Sequence, residues 1–205
     1  DVYNMNFKKR GLCVIFNQQE FNAGYGDFRK GSERDVVSIQ RTFGNLGFTV
    51  EEHLNFTVSE VMEEITNCND CDCLCIFVLT HGEQNGRVFA KDGSYTLLNL
   101  WTPFSTDTVA GRSLVGKPKL FFIQVNYLPH VYKKGSWYIQ SLCNVIDEHW
   151  KDTDVLKMLT LTARKVAQDY TSLHQEKNRN DKKQMPSLMS TLTRDLYFSP
   201  KIEHQ

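Results

Sequence analysis

The sequence predicts an α/β sandwich with a largely parallel sheet, and three observations carry the prediction. Apolar runs of strand length alternate along the chain with amphipathic stretches at helical spacing. The runs LCVIF at 12–16 and CLCIFVLT at 73–80 lack regularly alternating polar positions, the pattern of strands covered on both faces. A chain of 205 residues is long enough for one sizeable core, so one folded domain is expected.

Each element has its own signals. Residues 12–16 form the first strand. A loop holding Gly24, Gly26 and Gly31 leads to Ser32, a hydroxyl suited to cap a helix. Val36, Ile39, Phe43 and Leu46 then recur at helical spacing until Gly47. A short second strand begins at 48–50. TVSE at 57–60 is a capping box, and Val58, Val61, Met62 and Ile65 supply its buried stripe. The third strand spans 73–80. A hairpin covers 86–95, with Asp92 and Gly93 at its turn. Residues 97–104 are weakly helical, and Pro103 ends that stretch early. The fourth strand spans 119–124. Ser136 then caps a helix that buries Ile139, Leu142, Cys143, Ile146 and Trp150. Asp154 caps another, with Val155, Leu159, Val166 and Tyr170 aligned. Residues 178–183 read as a charged loop, and 185–198 as the last strand region.

Bulk properties narrow the function. A formal net charge of +0 gives no electrostatic footprint for nucleic acid or an anionic membrane. No apolar run approaches about 18 residues, so no transmembrane helix is expected. Residues 1–10 hold no apolar signal core, so secretion is not indicated. Six cysteines fit a reducing, cytoplasmic setting. The spacing of Cys68, Cys71, Cys73 and Cys75 invites a zinc reading. Cys71, Cys73 and Cys75, however, alternate and are expected on one strand face, in steps of about 7 Å, too far apart for one ion. They read better as small buried apolar residues, as do Cys13 and Cys143. Neither a metal nor a cofactor is expected.

Chemistry-bearing residues collect after two strands. THG at 80–82 follows the third strand directly, and Gln124 and Asn126 leave the fourth. In open α/β sheets, catalytic groups gather beyond the carboxyl ends of strands. His81 stands where a general base would be, and the Gly82 amide is placed to help bind an oxyanion.

With these residues assembled, the chain resembles the caspases, cysteine proteases that cut after aspartate, over nearly its whole length. YNMNFKKRGLCVIFN at 3–17 looks like the first strand of an executioner-type caspase, and FRKGSERD at 28–35 like its loop into the first helix. LTHGE at 79–83 resembles the catalytic-histidine motif, and GRSLVGKPKLFFIQ at 111–124 the run before the nucleophile. KGSWYIQSLC at 134–143 and LTRDLYF at 192–198 look like the small subunit. The resemblance implies a three-layer α/β/α sandwich around a mostly parallel six-stranded sheet, with about five helices. It divides one domain into a large-subunit region, 1–128, and a small-subunit region, 129–205.

Carried over position by position, His81 matches the catalytic histidine and Gly82 the oxyanion-hole glycine. Arg29 matches an arginine that grips the substrate aspartate, and Gln124 its partner in that pocket. A guanidinium beside an amide suits a carboxylate; the alternative for Arg29 is a solvated loop charge. Asn126 matches the nucleophile, and there the pattern fails. The family signature is Q-A-C-[RQG]-G with a histidine about 50 residues upstream, but residues 124–128 read QVNYL. Cysteine works through its thiolate, and a carboxamide has no comparable anion. The family also carries a long linker, a strand and a substrate loop after the nucleophile, whereas only 127–134 separate the two halves here. A segment between Asn126 and Lys134 is expected to be missing, through excision in preference to a genuine deletion.

The expectation is an insect-type, catalytically inactive caspase homologue, a cytoplasmic pseudoenzyme that regulates an active caspase in the apoptosis pathway. Caspase domains resembling this one pair through their last strand. Met185, Ser187, Met189, Thr191 and Thr193 are therefore the candidate interface for a heterodimer, with a homodimer the other pairing open to it. Activation and inhibition are both compatible with the sequence. A second reading is a non-cleaving binder of Asp-containing peptides at Arg29 and Gln124. A third is an active protease using another thiol. It ranks last because Cys13, Cys75 and Cys143 lie in apolar runs, while Cys68, Cys71 and Cys73 sit on the wrong strand side of His81.

Overall fold

Four parallel strands carry the rest of the chain on their two faces in the computed structural model. The structure describes residues 1–65, 71–83, 85–105, 108–126, 135–170 and 185–201. In chain order the elements are β1 (Leu12–Asn17), α1 (Ser32–Asn45), β2 (Thr49–Leu54), α2 (Val58–Glu64), β3 (Leu74–His81), the hairpin strands β4 (Arg87–Phe89) and β5 (Ser94–Thr96), α3 (Leu98–Trp101) with a 3₁₀ turn at Thr102–Phe104, α4 (Val109–Ser113), β6 (Lys119–Asn126), α5 (Trp137–His149) and α6 (Val155–Asp169). The sheet runs β2-β1-β3-β6, and the hairpin forms a separate pair.

Two apolar layers enclose the sheet. On one face Ile15, Phe77 and Phe122 meet Val36, Ile39 and Phe43 of α1, with α5 and α6 completing the layer. Phe77 stacks on Phe122 at 4.6 Å, and Phe43 meets Phe77 edge-on at 5.0 Å, geometries that aromatic rings prefer. On the other face Val14, Phe16, Ile76 and Val78 pack against Val61 of α2, Leu100 of α3 and the hairpin residues Val88 and Tyr95. Strands covered in this way need side chains that are apolar on both faces. That is why β1 and β3 read as continuous apolar runs.

The caps follow mostly from local chemistry. Thr57 and Glu60 make the expected reciprocal capping box. Ser136 and Asp154 cap α5 and α6 by accepting from Ile139 N–H and Lys157 N–H. Ser32 does not cap α1. The preceding Gly31 takes the N-cap position in the left-handed region (φ 97°), and the Ser32 hydroxyl turns back to the Arg29 carbonyl.

Three expectations need correction. The sheet holds four strands among the described residues, against the six expected. Residues 185–201 form no strand, and a single parallel bridge joins Asp195 to Val2. A segment becomes a strand only where a neighbour pairs its backbone groups. Met185, Leu188 and Met189 are accordingly exposed, while Leu196 and Phe198 turn into the core. Cys71 does not share a face with Cys73 and Cys75. Because β3 starts only at Leu74, Cys71 precedes the strand and packs in the opposite layer. The charged loop at 178–183 and the junction at 127–134 lie outside the described residues.

One polar cluster ties both chain ends to the sheet. The Arg10 guanidinium is buried and donates to Asp72 Oδ2 at 2.9 Å and, through Nε, to the Leu46 carbonyl at 2.9 Å. It also bonds the Ser199 carbonyl. Asp72 accepts in addition from Phe7 N–H at 2.9 Å and pairs with Lys201.

Candidate active-site edge

The carboxyl ends of β1, β3 and β6 bring the chemistry-bearing residues to one edge. Strand register does this without reference to side chains. Asn17 pairs with Leu79, Leu79 with Gln124, and His81 with Asn126. His81 and Asn126 thus sit opposite each other on adjacent strands, whose axes lie about 4.8 Å apart.

The loop after β1 holds His81 from the other side. Its Nε2 is 2.9 Å from the Asp27 carbonyl, which can only accept, so Nε2 carries a hydrogen. In the neutral ring Nδ1 is then the basic nitrogen, the tautomer a general base needs. The Phe21 ring lies 5.2 Å away. Gly26 has a positive φ of 139°, and a Cβ there would meet His81 Cδ2 at 2.9 Å. Gly82 is required for a similar reason. A Cβ would lie 2.7 Å from Val125 Cγ1 and 2.8 Å from the Arg87 carbonyl, so any side chain would part β6 from the hairpin.

Arg29 is not a solvated loop charge. It is 4% exposed, and Nη1 donates to the Gln18 carbonyl at 2.9 Å. Gln18 N–H in turn donates to the Leu79 carbonyl, so Arg29 is anchored on the row that contains Gln124. Gln124 is buried as well. Asn55 secures this loop from below. In the left-handed region (φ 56°), it accepts from Gln19 N–H and Glu20 N–H at 2.8 and 2.9 Å. Asp27, Gln18 and Asn55 escaped the sequence analysis. Two act through main-chain carbonyls, which leave no residue-type signal, and Asn55 acts through a contact made only after folding.

Asp35 links this loop to the second half of the chain. Its Oδ1 accepts from Ser136 N–H and from Gln140 Nε2, both at 2.8 Å. Burial pushes its carboxyl up to about 6 from the ordinary 3.8, opposed by Gln140, Ser136 and the nearby Arg29 charge. The folded chain therefore holds this proton more tightly than the unfolded chain. Asp35's contribution is most favourable below about pH 4 and declines as pH rises through about 6. Asp35→Asn keeps an oxygen for both donors. Relative to the native chain, the variant is expected to gain about 2–3 kcal/mol between pH 4 and pH 7. Urea titrations across that range check this; a constant difference would remove Asp35 as the titrating group.

The interface candidates lie elsewhere. Met185, Ser187, Met189, Thr191 and Thr193 are all exposed along the C-terminal segment. Among the described residues no helix is long and apolar enough to cross a membrane.

A histidine-glycine pair at the end of one parallel strand, facing a second strand end beside a buried Arg and Gln, forms a polar edge on an α/β sandwich. The chain belongs to the caspase family. The family profile described as the caspase domain matches residues 10–127 and 125–197. Caspase-7 of Gallus gallus is 30% identical over 251 residues, covering 96% of this chain and 79% of the relative. Caspase-1 of Spodoptera frugiperda is 31% identical over 256 residues, covering 98% and 83%. The crystal structure of caspase-1 from Spodoptera frugiperda superposes with a TM-score of 0.91 at 32% identity, covering 100% of this chain and 95% of that one. The alignment to the Gallus protein has 251 positions against 205 residues here, so at least 46 (251 less 205) have no counterpart in this chain.

Proposed function

We propose that this chain is a catalytically inactive caspase homologue that regulates an active caspase in apoptosis by pairing with it in the cytoplasm. The observation that carries the reading is Asn126, register partner of His81 at the position where the family places its nucleophilic cysteine. The sheet edge that would orient a general base is kept, while the residue it would activate is a carboxamide.

Two further observations support the reading. The profile match falls into two pieces that meet at 125–127, and the relatives carry residues this chain lacks. Both favour a boundary near 128 between large- and small-subunit regions and a missing segment after Asn126. The exposed Met185, Leu188 and Met189, on a segment outside the sheet, supply apolar groups with which a second caspase domain would pair. Heterodimerisation through 185–193 covers that segment. A homodimer uses the same residues.

Mixing the chain with an active executioner caspase and following peptide cleavage tests this. The partner's rate is expected to change at saturating concentration, and Met189→Glu is expected to abolish the change. An unaltered rate, with no complex on size-exclusion chromatography, sinks the reading. A second reading rests on the buried Arg29 and Gln124, which keep the makings of a carboxylate pocket. In that case the chain binds an Asp-terminated peptide directly and leaves the partner's rate on saturating peptide untouched.

A further inference from the structure

We propose that Glu51, His53 and Glu64 form a binding site for a zinc-class divalent cation on the outer strand of the sheet. It is separate from the His81 edge, and it does not depend on the regulatory role proposed above.

One donor atom from each of the three lies within 4.8 Å of the other two. Glu51 and His53 stand two apart on β2, so they project from the same face. Glu64, the last residue of α2, reaches over that face. His53 Nε2 is 3.4 Å from Glu64 Oε1. That is the edge expected of a tetrahedron with metal–ligand bonds of about 2.1 Å, roughly 1.6 times the bond length. The pair is not a hydrogen bond. Nε2 is buried without a hydrogen-bond partner, and Glu51 brings a second carboxylate to within 4.8 Å of the other two donor atoms.

The ring is held in place to do this. It stacks on Phe16 at 5.6 Å and meets Phe56 at 4.5 Å, which leaves His53 with 15% side-chain exposure. A ligand whose rotamer is fixed by packing loses little freedom on binding. A divalent cation among the three would satisfy every donor at once, including the buried Nε2. One imidazole with two carboxylates suits zinc better than magnesium, which prefers oxygen donors and retains its waters. β2 is the outermost strand and Glu51 is exposed, so a fourth position opens to solvent.

The test uses the whole chain, stripped with EDTA and titrated with zinc chloride or magnesium chloride. One zinc per chain is expected to bind. The Tm should rise by about 5–10 °C when zinc stands at about a hundred times its Kd, and magnesium should leave it unchanged. Glu51→Gln, at an exposed position, and the isosteric Glu64→Gln are each expected to weaken binding at least about 10–100-fold. Substituted cobalt should absorb without a thiolate charge-transfer band, separating this site from the cysteines. Three results overturn the proposal: no saturable zinc binding, binding untouched by both glutamine variants, or a thiolate band in the cobalt spectrum. A Tm that follows pH but not zinc also overturns it and leaves His53–Glu64 an ion pair only.

Discussion

Purified alone, this chain is expected to hydrolyse an Asp-terminated fluorogenic peptide about 10⁶-fold more slowly than a caspase with its thiol, the scale of losing a protease nucleophile. An aspartyl fluoromethylketone is expected to leave it unlabelled by mass spectrometry. The reason is chemical and not architectural. His81 is seated on the Asp27 carbonyl and faces the end of β6, so the base is in position. At Asn126 it has no thiol to deprotonate. No other described cysteine can replace it. Cys13, Cys71, Cys73, Cys75 and Cys143 are all buried. Burial pushes the Cys13 and Cys75 thiols well up and the Cys143 thiol up to about 12, so these three hold almost no thiolate at neutral pH. Measurable aspartate-directed turnover, or a labelled peptide, would show that a different thiol serves as nucleophile.

Asp72→Ala is expected to destabilise the chain by about 3–5 kcal/mol, read as a lower urea midpoint at unchanged m-value. Asp72 is fully buried and accepts from Arg10, Phe7 N–H and Lys201. Its removal leaves the Arg10 guanidinium inside the protein with two carbonyls but no counter-charge. Because Lys201 and Ser199 belong to the C-terminal segment, that segment is expected to become protease-sensitive before the sheet does. Asp72→Asn restores an acceptor for Phe7 N–H but not the charge, so it should recover little. Removing both charges, with Arg10→Met and Asp72→Leu together, is expected to cost less than the sum of the single changes. A loss below about 1 kcal/mol for Asp72→Ala would mean that the cluster is screened by water and carries little of the stability.

Much of this architecture is visible in the linear order of residues. β1 and β3 are continuous apolar runs because both faces are covered, and the capping groups at Thr57, Ser136 and Asp154 are local chemistry that needs no distant partner. His81, Gly82 and Gln124 can be found because each lies at the carboxyl end of a strand, and Asn126 because a thiol is missing from a recognisable frame. The last strand could not be judged in this way. Residues 185–198 read as a strand region, but a strand also requires a neighbour, and sequence pattern does not report whether one is present.

What the sequence alone determined is the family, the parallel α/β order and the residue at the nucleophile position, since these depend on residue type and short-range spacing. Tertiary structure decided which polar groups are buried and which distant groups meet. It placed Arg29 on the Gln18 carbonyl, Asp35 on the α5 N-terminus, Asp72 between the two chain ends, and His53 between Glu51 and Glu64. Most of these contacts join residues on different elements. Their geometry, desolvation and charge balance exist only once the layers have closed.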